Sequence, residues 1–397
     1  MTPAQADACR NTAAAYVHIP FCSAVCPYCD FAVVAGRDDL DVRYVDAVVS
    51  EITRSEPWRP LEAVYVGGGT PSRVDPSLLG RVLDALTDRH GITDGAEISL
   101  EANPEDFDES RASRLSDIGF NRVSFGAQSF DDRVLLSLGR RHAGSRIARS
   151  VEAARGSGFD NISLDLIYGT PGETGSSWTA TMASALDLEP NHISAYALTV
   201  EPGTELGRSV KQGASAPDPD IQADRYEATM MAVGAAGMSR YEVSNWSAAG
   251  YECRYNMTVW AQGEYEAYGN GAHGHRRGQR FRNYRHLDSY LEAIESGQSA
   301  VAGEEPVEGW DAELDRLFVG LRRTVGVSLG PGGKAFVQST EGSRLIEAGI
   351  VELSAGRLTV KNPMLTDEVH RIVLDLEEPD WWAQHSPDDI VLTRENA

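Results

Sequence analysis

Six short apolar or β-branched runs, separated by stretches that include helical spacing, constrain this chain more than any other feature. The runs are Tyr16 to Ile19, Ala63 to Val66, Ile98 to Glu101, Arg122 to Phe125, Ile162 to Ile167 and His192 to Leu198. Between the first two, Val45, Val48, Val49 and Ile52 fall at i, i+3, i+4 and i+7. Leu78, Leu79, Val82, Leu83 and Leu86 repeat the stripe before the third. Strands alternating with helices predict a parallel sheet covered by helices, an α/β fold. Curled, six such units make three-quarters of a TIM barrel, a (β/α)6 core with its functional groups on loops at the carboxyl rim.

With 397 residues the chain exceeds a single compact core, and two domains are expected. Its hydrophobic fraction of 42% suffices for packing, while no apolar run is long enough to span a bilayer. Residues 1 to 15 carry Asp7, Arg10 and several alanines without the apolar block of a signal peptide, so a cytoplasmic location is expected. Five cysteines, an odd number, suit a reducing compartment rather than a disulfide framework. The formal charge of −23 repels nucleic acid phosphates. Against it stands one basic run, Arg276, Arg277, Arg280, Arg282 and Arg285, which reads as a solvated loop or as an anion site for propionates or a partner.

The first strand leads into YVHIPFCSAVCPYCDF, residues 16 to 31, where Cys22, Cys26 and Cys29 stand in a C-x3-C-x2-C spacing. Three thiols on one tight loop favour an iron-sulfur cluster or zinc. Structural zinc wants four closed ligands, and no second Cys or His pair at finger spacing follows. A 4Fe-4S cube held by three cysteines leaves one iron open to a small molecule. A zinc with a distant fourth ligand and buried reduced cysteines are the alternatives.

Each later strand ends in a polar or flexible element. Gly67, Gly68, Gly69, Thr70 and Pro71 close the second; without Cβ atoms, such a loop lets backbone groups approach a charged ligand, or simply turns. Glu101 ends the third and can accept from ribose hydroxyls or an ammonium. Gln128 follows the fourth, and Arg140, a fork suited to a carboxylate, comes after a short helix. Asp165 sits amid apolar residues of the fifth, where an ionisable group is costly unless paired or facing a ligand.

The cysteine loop resembles that of the radical SAM enzymes. HIPFC before the cluster and CDF after it resemble the branch containing oxygen-independent coproporphyrinogen oxidase and the haem chaperone HemW, and most of the chain can be laid against that branch. The oxidase has a further cysteine where this sequence has Phe31, which points to the chaperone side. The resemblance implies a 4Fe-4S cluster on Cys22, Cys26 and Cys29. It implies S-adenosylmethionine contacts from Tyr16, Tyr28, Gly68, Gly69, Thr70, Glu101, Gln128, Arg140, Asp165 and Ala197, with Tyr196 near the adenine and Ala272 and His273 beside the cofactor. It also implies haem as cargo and haem-accepting proteins as partners, respiratory ones being candidates. A cluster that cleaves S-adenosylmethionine by one electron is within the scaffold's capability. The alternative is therefore an enzyme: the oxidase itself, or a methyl- or cyclopropane-forming relative. A non-enzymatic metal-binding interaction protein is a third reading.

In this resemblance 1–14 form an N-terminal tail, 15–245 the radical SAM core, 246–300 a connecting segment and 301–397 a smaller α+β, winged-helix-like domain. The HemW motif HNxxYW, whose histidine is associated with haem, corresponds here to YNMTVW: Asn256 and Trp260 are kept, Tyr255 replaces the histidine and Val259 the tyrosine. A tyrosinate can ligate haem, which makes Tyr255 the candidate; His273 and His275 are the nearest substitutes. Further expectations are a surface loop over Gly207 to Asp220, a helix bearing Tyr226, Met230 and Val233, and a strand near Tyr241 to Val243. A helix over Trp310 to Arg323, a second ending near Gly349, a hairpin from Ile350 to Val360 turning at Ala355-Gly356, and a helix from Thr366 to Leu376 complete the reading. Packing against this domain is the expectation for Trp381 and Trp382.

Overall fold

The computed structural model describes residues 1–382; the end of the expected C-terminal domain lies outside them. The six apolar runs form β1 Ala14–Ile19, β2 Leu61–Gly68, β3 Ile92–Ala102, β4 Arg122–Gln128, β5 Asn161–Tyr168 and β6 His192–Ala197. They lie side by side in chain order, all parallel. Helices such as Asp41–Arg54, Pro76–His90, Gly144–Gly156 and Gly175–Asp187 connect them, burying Val45, Val48, Ile52, Leu79, Val82 and Leu86 against the sheet's apolar face. Asp75 and Thr174 cap two of these helices by accepting from the first-turn amides of Ser77 and Ser177.

Strand alternation puts a different residue set on the concave face. Tyr16, His18, Tyr65, Glu97, Ser99, Glu101, Arg122, Ser124, Ser163, Asp165, Ser194 and Tyr196 share the parity opposite to Val17, Val64, Val66, Leu100, Val123, Phe125, Leu164 and Ile193. The interior of the part-barrel is therefore polar, and the hydrophobic core is the layer between sheet and helices.

The sheet continues on both sides. Beyond β6 lie β7 Ser239–Glu242 and β8 Asn245–Ser247, both antiparallel additions. On the other side β9 Tyr265–Tyr268 runs parallel to β1, followed by β10 His273–Arg276, β11 Gln279–Asn283 and β12 Val301–Pro306 in antiparallel order. The basic run is thus a hairpin and not a loop: Arg276 ends β10, Arg277 holds φ +53 in the turn, and Arg280 and Arg282 lie on β11. The Arg254–Trp260 helix, which carries the YNMTVW stretch, reaches the floor of the barrel, where the Arg254 amide donates to Glu97.

The C-terminal unit contains helices Gly309–Gly320, Gly330–Gln338, Thr340–Glu347 and Thr366–Leu374 around a small sheet of β13 Val327–Ser328, β14 Val351–Ser354 and β15 Arg357–Val360. Its hairpin turns at Ala355 and Gly356, both at positive φ. Trp382 is buried against Trp310 with ring centroids 5.6 Å apart.

Besides the basic run, two expectations need correction. The Gly207 to Asp220 stretch begins with a helix, Glu205–Lys211, capped by Thr204, because a hydroxyl three residues before Gly207 satisfies its amide. Met230 faces solvent, and Tyr226, Thr229 and Val233 form the buried stripe. The N-terminal tail holds a helix, Pro3–Ala8, closed by a Thr2/Gln5 capping box. Asp7 on that helix receives Arg323 at 2.9 Å and Arg357 at 2.6 Å, both from the C-terminal unit.

Candidate functional site

The cysteine loop leaves the end of β1 and is fastened to the end of β2. Gly69 N donates to Ile19 O and Thr70 N to Phe21 O, both at 2.8 Å. This approach is too close for side chains: a Cβ on Gly69 would lie 2.7 Å from the Pro20 carbonyl carbon, and one on Gly68, at φ +114, would be driven into the His18 ring. His18 is itself fixed. Its Nε2 faces Ala32 O at 3.0 Å, so it carries the proton, and Nδ1 accepts from Tyr16 Oη at 3.0 Å. Burial lowers its pKa to about 4, which keeps the ring neutral.

Cys22, Cys26 and Cys29 lie near enough for charge on one to act on another. Burial raises Cys22 to about 11 and also raises Cys29, with neighbouring cysteines adding to both. Thr70 Oγ1 donates to Cys22 Sγ at 3.6 Å and Arg140 Nη1 to Cys26 Sγ at 3.5 Å, while Tyr28 packs beside Cys26. Among the described residues, no three His, Cys, Asp or Glu side chains are gathered as a single-ion site. Soft donors on one loop, one receiving a hydrogen bond from Thr70 after β2 and one from Arg140 after a short helix, suit an iron-sulfur cluster held by three cysteines.

Asn103, which nothing in the sequence singled out, joins these donors. Its Nδ2 donates to Thr70 Oγ1 at 3.0 Å, and its Oδ1 accepts from Arg140 Nη2, which also reaches Gly126 O at 3.1 Å. A continuous belt thus runs Cys22–Thr70–Asn103–Arg140–Cys26 across the ends of β2, β3 and β4. Arg140 Nε is buried without a partner inside it. The only signal in the sequence was an Asn-Pro step at a strand end, which reads equally well as a turn.

Below the belt, Glu101 accepts from Gly68 N and Tyr65 Oη, both at 2.9 Å. Burial lifts Glu101 to about 7 and also raises Asp165, whose charge adds to the lift on Glu101. Ser124 Oγ donates to both Asp165 oxygens at 3.0 and 2.9 Å, with Ser194 and Ser163 supplying further bonds. Two recessed carboxyls whose ionised forms burial disfavours suit a cationic ligand bearing hydroxyls, because a positive charge between them favours ionisation of both. Gln128 stands at φ +61 beside a bulge at Gly126, with its carboxamide next to Gly126. Tyr196 and Ala197 end β6.

Tyr255 enters the barrel from below and packs face to face with Tyr65 and Tyr16, centroids 5.3 and 5.8 Å away. Burial pushes its phenol well above the ordinary value, and a tyrosinate ligand there would have to lose its proton against that cost. Ala272 is buried behind the loop that follows β9, whereas His273 is exposed on β10, so only His273 presents a side chain to solvent.

A polar part-barrel with three cysteines at its carboxyl rim defines a class, and the family model described as the Radical SAM superfamily matches residues 16–185. In fold the chain is similar to the coproporphyrinogen III oxidase of Escherichia coli, with a TM-score of 0.80 over 93% of this chain and 92% of that one at 21% identity. In sequence it is 36% identical over 368 residues to the heme chaperone HemW of Mycobacterium tuberculosis, covering 90% of this chain and 94% of the relative. It is 34% identical to the heme chaperone HemW of Bacillus subtilis, covering 89% and 97%. The chain belongs to the HemW family of radical SAM proteins.

Proposed function

We propose that this protein is a cytoplasmic haem chaperone that binds a 4Fe-4S cluster and S-adenosylmethionine and delivers haem to acceptor proteins. The observation that carries the cofactor reading is the belt from Cys22 to Cys26, which ties the thiol loop to the strand ends on which the ligand-binding groups stand. Cys22, Cys26 and Cys29 hold the cluster, which when bound supplies one electron to a sulfonium ligand. Arg140, with its buried Nε, takes the ligand's carboxylate. The glycine turn brings backbone groups to the amino group, while Glu101 and Asp165 receive ammonium or ribose donors. Tyr16, Tyr28, Gln128, Ala197 and Ala272 are the further ligand contacts that the family resemblance implies.

The haem reading rests on the HemW relatives, whose names state that activity, and on Phe31 in place of the oxidase's cysteine. No helix among the described residues is long and apolar enough to cross a membrane. The test is anaerobic reconstitution followed by haemin titration. One equivalent of haem should bind with a shifted Soret band, and coproporphyrinogen should release no carbon dioxide. A Cys22→Ala variant that keeps full iron content overturns the cluster assignment, and absence of haem uptake by wild type overturns the chaperone.

A further inference from the structure

Where haem sits is not given by the cofactor cavity, and the distribution of histidines narrows it. Of the eight histidines among the described residues, His18, His90, His142, His192, His275 and His370 are buried. Only His273 and His286 are exposed. His286 precedes a surface helix, whereas His273 lies on β10 directly opposite Arg282 of β11, a pair spaced by roughly 5 Å. Arg285 also acts on it electrostatically.

The basic run is used unevenly. Arg276 pairs with Glu264 and Glu266, Arg277 with Glu56 and Arg280 with Asp315. Among the described residues Arg282 makes no ion pair, and Arg285 donates to the backbone carbonyl of Asp30. In a chain of charge −23, the two arginines left without carboxylates are the two beside the exposed imidazole. Asp30 and Ala32 are pinned to the same place, by Arg285 and by Asn270 Nδ2 at 3.2 Å, so Phe31 between them stands at this rim with 62% of its surface exposed. An exposed imidazole, two guanidiniums without a carboxylate partner and an exposed aromatic ring match the iron, the paired propionates and the apolar edge of a porphyrin.

We propose that haem docks on the rim between the cysteine loop and the β10–β11 hairpin, with His273 ligating iron, Arg282 and Arg285 holding the propionates, and Phe31 covering one edge. This rests on the haem-carrier reading. The test titrates haemin and its uncharged dimethyl ester into the reconstituted full-length protein. His273→Ala should abolish the nitrogen-ligated Soret and EPR signature, added imidazole should restore it, and His286→Ala should leave it intact. Arg282→Gln and Arg285→Gln should each weaken haemin about fivefold to tenfold while leaving the ester's affinity unchanged. If wild type binds haem and His273→Ala keeps the wild-type spectrum, or His286→Ala is the variant that loses it, the docking site is overturned and the chaperone stands. If wild type binds none, the chaperone reading falls first.

Discussion

The tightest steric point at the site is Gly68, and replacing it by alanine is the most informative perturbation. A methyl group there meets the His18 ring, which cannot swing away because Tyr16 Oη and Ala32 O hold its two nitrogens. The backbone adds its own cost, since φ +114 is unfavourable for an L side chain by about 1–2 kcal/mol. Overpacking against a fixed ring adds about 1–3 kcal/mol, and loosening one His18 hydrogen bond about 1 kcal/mol. The sum is about 4 kcal/mol. Gly95 provides the control, because it too has positive φ, +74, but open space around its missing Cβ. Gly95→Ala should therefore cost only the backbone share, about 1–2 kcal/mol. In equilibrium urea unfolding followed by circular dichroism, the two variants should differ by about 2–3 kcal/mol. In a His18→Ala background the Gly68→Ala increment should fall by about 2 kcal/mol, since the colliding ring is gone. Equal costs for the two glycines, or an undiminished increment without His18, would refute the steric account of why this turn needs glycine.

The belt predicts that Asn103→Leu lowers stability by about 3 kcal/mol by stripping a buried acceptor from Arg140 and a donor from Thr70, and that it lowers iron content after reconstitution; an unaltered unfolding midpoint contradicts this. Glu101, near pKa 7, should lose its proton when a cationic ligand enters, so calorimetry of S-adenosylmethionine binding at pH 7 in buffers of different ionisation enthalpy should detect proton release that Glu101→Gln diminishes. Glu51 is raised by burial to about 7 although Tyr290, Gly269 and Asn283 donate to it. Its folded pKa exceeds the unfolded one, so its stabilising share is full below about pH 4.5 and is lost as pH climbs through about 7. Relative to wild type, Glu51→Gln should remove a falling slope of up to about 1.4 kcal/mol per pH unit in that window, measured by urea unfolding across pH.

The parallel strands were legible because their apolar faces repeat at period two between helices that repeat at 3.6, and both periods survive reading in one dimension. Residues that end those strands could be placed at a common rim for the same reason. The belt could not, because Asn103 matters only through groups 33 and 37 residues away that the curl of the sheet brings to it. The sheet's extension from β9 to β12 escaped because GNGAHGHRRGQRFRN has glycines and charges where strand alternation needs apolar residues. Its strands are held by pairing to β1 and by ion pairs such as Arg276 with Glu266, which leave little hydrophobic pattern. Met230 misled because helical spacing alone does not say which of two adjacent stripes faces inward.

The clasp around Asp7 sets a timetable for synthesis. Its two arginine partners follow it by 316 and 350 residues, whereas Tyr241 and Met257, against which Ala6 of the same helix packs, are made earlier, so these ion pairs are the last of the helix's contacts to become available. Closure of that contact can come only after residues 323 and 357 have been made, a late fastening between the first helix and the C-terminal unit.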